Sequence, residues 1–110
     1  MTNSVEFYVR DVRRTSAGET LVVGVPNNRR ALSVGDRFRI RYEVSRDDAM
    51  NCSANPARVG NRVVDLVVEK IDVMRAQVAR VTHGRTAALW LAGHGLEHLK
   101  KGCFLRTKES

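Results

Sequence analysis

The chain has little of what small proteins use in place of a core. Among its 110 residues are two cysteines, two prolines and a single tryptophan. Cys52 and Cys103 are too few for a disulfide framework and lack zinc-ligand spacing. The thiols are therefore expected to stay reduced, as in the cytoplasm. No apolar run approaches the ~20 residues that span a bilayer. The opening MTNSVEFYVR has no cationic stretch followed by an apolar one, so no signal peptide is expected. Repeats, low-complexity tracts and linkers are also missing, which predicts one domain over 1–110 with its core in 5–107. Acid is scarce too: 12 Asp and Glu face 19 Lys and Arg, for a formal charge of +7. That balance favours a polyanionic partner such as RNA or an acidic protein surface.

What is present reads almost entirely as strand. VEFYVRDV (5–12) sets Val5, Phe7 and Val9 against Glu6, Tyr8 and Arg10. Side chains of a strand alternate between two faces, so this is a half-buried strand. TSAG (15–18) supplies a turn, ETLVVGV (19–25) a second strand, and Pro26 should end its ladder. After a tight turn at Gly35-Asp36, GDRFRIRYEV alternates Phe38, Ile40 and Tyr42 with Arg37, Arg39 and Arg41. Residues 46–61 are polar and aperiodic and predict one long loop. RVVDLVVEKIDV (62–73) keeps Val64, Leu66 and Val68 in phase, then shifts to Ile71 and Val73, the mark of a β-bulge. AQVARV, TAALWLAG and CFLRT supply further strands, and GLEHLKKG holds about one helical turn. The expectation is an all-β fold, a small closed barrel of six or seven strands with one short helical turn.

The order of these signals is similar to the second domain of translational GTPases such as elongation factor Tu. The resemblance rests on F-x-V-x-D-V (Phe7, Val9, Asp11, Val12), Val22-Val23-Gly24, and L-x-V-G-D (Leu32, Val34, Gly35, Asp36). It continues through Gly84, A-x-L-x-L-x-G (Ala87, Leu89, Leu91, Gly93) and G-L-x-x-L-x-x-G (Gly95, Leu96, Leu99, Gly102). It implies the barrel, with RNA, the ribosome or a translation-related protein as partner. The chain has no G-x-x-x-x-G-K-[ST] phosphate loop, so it is not expected to bind GTP by itself. Arg13 stands where that family carries an aromatic after D-V. Asp11, at the matching D-V position, is a candidate partner contact.

Catalytic and metal signals are weak. His94 and His98 are four apart, but Gly93 and Gly95 flank His94 and no third ligand lies nearby in sequence. No serine sits in a nucleophile elbow, and Asp47 and Asp48 would blunt the Cys52 thiol. No metal, no cofactor and no enzymatic activity are expected. The three arginines of 37–41 have two readings. They are a solvated outer face whose charge discourages edge pairing. Alternatively they join Arg29 and Arg30, with Arg13 and Arg14, in a phosphate-binding patch. Tyr8, Tyr42 and Trp90 are the aromatics available for stacking on a base. Trp90 faces away from Leu89 and Leu91 and is a candidate partner contact. The function this predicts is a non-catalytic binding module that contacts RNA, ribosome or a translation component. The alternative is a protein-interaction or inhibitory module that imitates the translation-factor domain.

Overall fold

A computed structural model describes residues 5–27, 30–44 and 58–107. Among these residues nine strands run in the order β1 (Glu6–Arg14), β2 (Thr20–Pro26), β3 (Leu32–Ser33), β4 (Arg37–Val44), β5 (Arg58–Val73), β6 (Ala76–Val78), β7 (Arg80–Val81), β8 (Ala87–His94) and β9 (Phe104–Arg106). One 3-10 turn, Leu96–His98, separates the last two. Six strands pair in the ring β4-β9-β1-β2-β8-β5, and a β4–β5 ladder closes it. β6 extends β5 beyond the ring as a hairpin, while β3 and β7 form a separate two-stranded ribbon. Closure leaves these six strands without a free edge, which is how a small all-β protein avoids edge-to-edge aggregation.

Alternation decides what goes inside. Val5 just before β1, Phe7 and Val9 of β1, Val22 of β2, Leu89 of β8 and Leu105 of β9 are fully buried in one core cluster with Phe38, Leu66, Val68 and Ile71. The phase change in β5 is a bulge: the ladder to β8 slips between Val68 and Lys70, which lets both Val68 and Ile71 face inward. A second bulge in β1, between Val9 and Asp11, leaves Arg10 as the extra residue. Beside it, β1 and β2 come so close that a Cβ on Gly24 would overlap the Tyr8 carbonyl oxygen. Only glycine fits there. The 15–18 turn closes with Gly18 N–H donating to the Thr15 carbonyl at 3.0 Å, and Gly18 takes φ 85.

Two expectations change. The long loop does not reach Asn61: residues 58–61 belong to β5, with Arg58 and Val59 paired to Val44 and Glu43. Their sequence shows no alternation, so only the pairing with β4 identifies them as strand. Residues 46–57 lie outside the described residues. AQVARV is also not one strand. It divides into β6, which returns along β5, and β7, which pairs Val81 with Leu32.

Candidate functional site

The arginine row of β4 does not keep its alternation. Phe38 is in the core, opposite Leu66. The β4–β5 register then slips between Phe38 and Ile40. On the other side, β9 pairs Arg41 with Leu105, and β1 pairs Leu105 with Phe7. Cross-strand partners share a face, so Arg41 points inward with two core residues. It is 6% exposed. Its guanidinium donates to the His98 carbonyl at 2.8 Å and the Gly60 carbonyl at 2.7 Å, and meets Glu43 Oε2 at 2.9 Å. Burial alone would raise the Glu43 carboxyl, but hydrogen bonds from Lys100 and Arg41 hold it below its ordinary value. Arg41 thus ties β5 and the 3-10 turn to β4 and is not an outward phosphate contact.

Ile40 and Tyr42 take the opposite side. Both are buried, yet neither belongs to the core cluster. Tyr42 stacks on Phe104 at 5.3 Å, Phe104 meets Tyr8 at 5.0 Å, and the Tyr42 hydroxyl donates to Glu6. At 4% exposure Tyr42 offers no free ring for a base. Arg37 and Arg39 stay outward and exposed. Arg37 bonds Asp65 at 2.7 Å and holds that carboxyl below its usual range, with Arg39 and His94 adding to the effect.

The expected union of arginines does not form. Glu6, Arg106 and Ile40 lie level across β1, β9 and β4. Arg39 is one step before that level and Arg13 seven steps beyond it. The two are therefore on the order of 25 Å apart along the strands, at ~3.3 Å per residue. Arg30 is tied to its own turn, where its guanidinium meets Asp36 at 3.2 Å and Asp36 accepts from Ser33 N–H at 2.8 Å. Arg29 lies outside the described residues.

Around Arg13 the register assembles something else. Arg13 pairs with Leu21, Leu21 with Trp90, and Trp90 with Lys70. These four residues form one rung across the outer faces of β1, β2, β8 and β5, about 14 Å from end to end at ~4.8 Å per strand. Two cations thus flank an aliphatic and an aromatic side chain. Lys70 Nζ lies 4.5 Å from the Trp90 ring centroid. Asp11 is two rungs away on the same face, opposite Val23, and its nearest cation is Arg13 at 3.1 Å. That hydrogen bond holds the Asp11 carboxyl low, and Lys101 adds to it from further off. Arg10 and Arg14 are exposed and make no ion pair among the described residues. Leu21, Val23, Val25, Ala88 and Trp90 are half-buried and give this face an apolar strip.

No protein-family model matches the chain, and no curated protein matches it by sequence. Solved structures do. Translation elongation factor SelB from Methanococcus maripaludis, in its apo form, superposes with a TM-score of 0.65 at 14% identity. The same factor in complex with the GTP analogue GppNHp gives the same values. The match covers 100% of this chain and 20% of SelB. The chain therefore spans about a fifth of that factor. Its fold is that of a translation-factor β-barrel domain. The order of strands, the closed ring and the 3-10 turn fit the second-domain type that the sequence resembles.

The barrel thus keeps Asp11, Arg13 and Trp90 on one outer surface, sets Arg14 exposed at the end of β1 level with buried Thr20, removes Arg41 to the interior, and leaves Arg37 and Arg39 at a distance. Sequence reasoning missed Leu21, Lys70 and Lys101. The phase shift after Val68 was the available signal for Lys70, because the bulge is what brings it level with Trp90. Cys103 is fully buried, and burial raises its thiol above the ordinary range. His94 is exposed, and His98 lies 3.6 Å from Glu97. Among the described residues no group of three His, Cys, Asp or Glu side chains is placed to hold a metal ion.

Proposed function

We propose that this chain is a non-catalytic, cytoplasmic binding module that contacts RNA, either free or within the ribosome, through the outer face of β1, β2, β8 and β5. The observation that carries the reading is the rung Arg13–Leu21–Trp90–Lys70, with Arg10, Arg14 and Lys101 nearby. Guanidinium and ammonium groups neutralise phosphates, and the Trp90 ring gives one base a face to stack on once the Lys70 ammonium above it turns to a phosphate. One aromatic and no array of base-edge donors means weak sequence preference. The fold likeness to a translation elongation factor makes a translation-related partner the natural source of that RNA.

Trp90 is the chain's one tryptophan, so its fluorescence reads the contact directly. Titration with a single-stranded oligonucleotide should quench it. Log affinity should fall with log salt at about 0.7 per phosphate met. Changing Arg13 and Arg14 to Glu should weaken binding and lower that slope by about 1.4. Salt-independent binding, or unchanged binding in the folded double variant, would overturn the reading. A second reading has its own support: the half-buried strip of Leu21, Val23, Val25 and Ala88 beside Trp90 suits a protein partner. Affinity capture from extract separates the two. A complex that dissolves on nuclease treatment supports RNA; one that survives nuclease and is lost in Trp90→Ala supports the protein-interaction module.

A further inference from the structure

We propose that the cleft beneath the β5–β6 hairpin binds an acidic peptide segment, taking one large aliphatic side chain on its floor and flanking carboxylates on the two arginines of its wall. The site is separate from the RNA-contacting face and does not depend on that reading. Val73 and Val78 face away from Asp72 and Gln77, which lie on the other side of the same hairpin, and both pack partly against the core. With Val81 they floor an open cleft of about 330 Å³. Arg80 and Arg85 stand on its wall and Met74 on its lip.

Three observations point to a ligand there. The hairpin turn consists of Met74 and Arg75 at φ 52 and 67, both left-handed. A two-residue turn of this hand is most stable as Asn-Gly. Here strained backbone presents a thioether that is 86% exposed. Left-handed non-glycine positions cluster at ligand clamps and switch regions. Second, neither Arg80 nor Arg85 meets a carboxylate among the described residues, whereas Arg13, Arg30, Arg37 and Arg41 each do. Guanidinium forks match carboxylates in a bidentate geometry. Third, the cleft floor is aliphatic and its lip is a methionine, a side chain that adapts to irregular apolar groups. No aromatic ring lines it, so it lacks the stacking platform that nucleic-acid bases use. Charge and floor together favour a peptide.

The test uses the full, isotope-labelled chain and follows its amide resonances. The probe is the peptide acetyl-Glu-Glu-Leu-Glu-Glu-amide, compared with its Gln counterpart and with hexauridylate. The expected result is that the Glu peptide shifts the amides of Val73, Val78, Arg80, Val81 and Arg85. The Gln peptide should bind about five- to ten-fold more weakly, as should the Arg80→Gln/Arg85→Gln variant. Replacing Met74 and Arg75 by Asn and Gly should raise the melting temperature and weaken the peptide. The proposal is overturned if the Glu peptide shifts nothing at millimolar concentration or shifts only other residues. Equal binding of the Gln peptide overturns it, and hexauridylate shifting the same amides as strongly would make the cleft a nucleic-acid site instead.

Discussion

Replacing Arg41 by alanine tests whether a charged side chain in the outward-looking row of β4 has a structural task. The change removes two hydrogen bonds to backbone carbonyls and one ion pair, with the side chain 6% exposed beforehand. Hydrogen bonds to charged groups contribute ~1.5–3 kcal/mol each, and breaking a buried ion pair costs ~3–5 kcal/mol. These overlap and do not add. Gly60 is exposed and Glu43 is partly so, which lets water reach some of the abandoned groups. A loss of about 3 kcal/mol results. For a domain of this size that lowers the melting temperature by roughly 12–20 °C. Arg37→Ala, which breaks one exposed pair, should cost under ~1 kcal/mol, and Arg39→Ala within ~0.5 kcal/mol. Urea unfolding followed by Trp90 fluorescence measures all three. If Arg41→Ala costs no more than Arg37→Ala, the inward assignment of Arg41 is wrong. The same result guards the RNA experiment, because lost binding in an Arg41 variant would report lost folding.

Further outcomes follow from individual contacts. Gly24→Ala should destabilise by several kcal/mol, on the order of an overpacked core or more, since its Cβ meets backbone that cannot rotate away; chemical denaturation checks it. Glu43 has a carboxyl lowered in the folded chain, so its stabilisation is complete above its ordinary value of 4.5 and is lost as pH falls through the lower folded value. Glu43→Gln should cost about 1–2 kcal/mol at neutral pH, and the gap to the parent should shrink in acid below that value, seen in melting temperature against pH. In a Cys52→Ser background, the buried Cys103 thiol should react with a thiol reagent only at the rate of unfolding; prompt labelling in native buffer would contradict its burial.

Much of the barrel was legible because it depends on period two. Val5, Phe7 and Val9, or Ala87, Leu89 and Leu91, announce an inner face without any knowledge of their neighbours. The bulge after Val68 could be read from the same rule, since a slip in phase has few other causes. The site was legible only in part. Trp90 and Arg13 were recognisable singly, but their alignment with Leu21 and Lys70 depends on four strands in register, which local sequence does not state. The strand start at Arg58 was unreadable for the same reason.

Composition and alternation alone determined that this chain is a basic, all-strand protein with a tightly turned core, because burial of apolar side chains on a pleated backbone is a local pattern. Tertiary structure decided which charges remain available. Arg37, Arg39 and Arg41 look equivalent along β4. Closure against β9 and a slipped register against β5 place the third of them among Leu105, Glu43 and the 3-10 turn. The same closure sets Arg13 level with Trp90 and far from Arg39. Facing in a barrel is fixed by both neighbours of a strand, so a residue's role there belongs to the ring and not to its own segment.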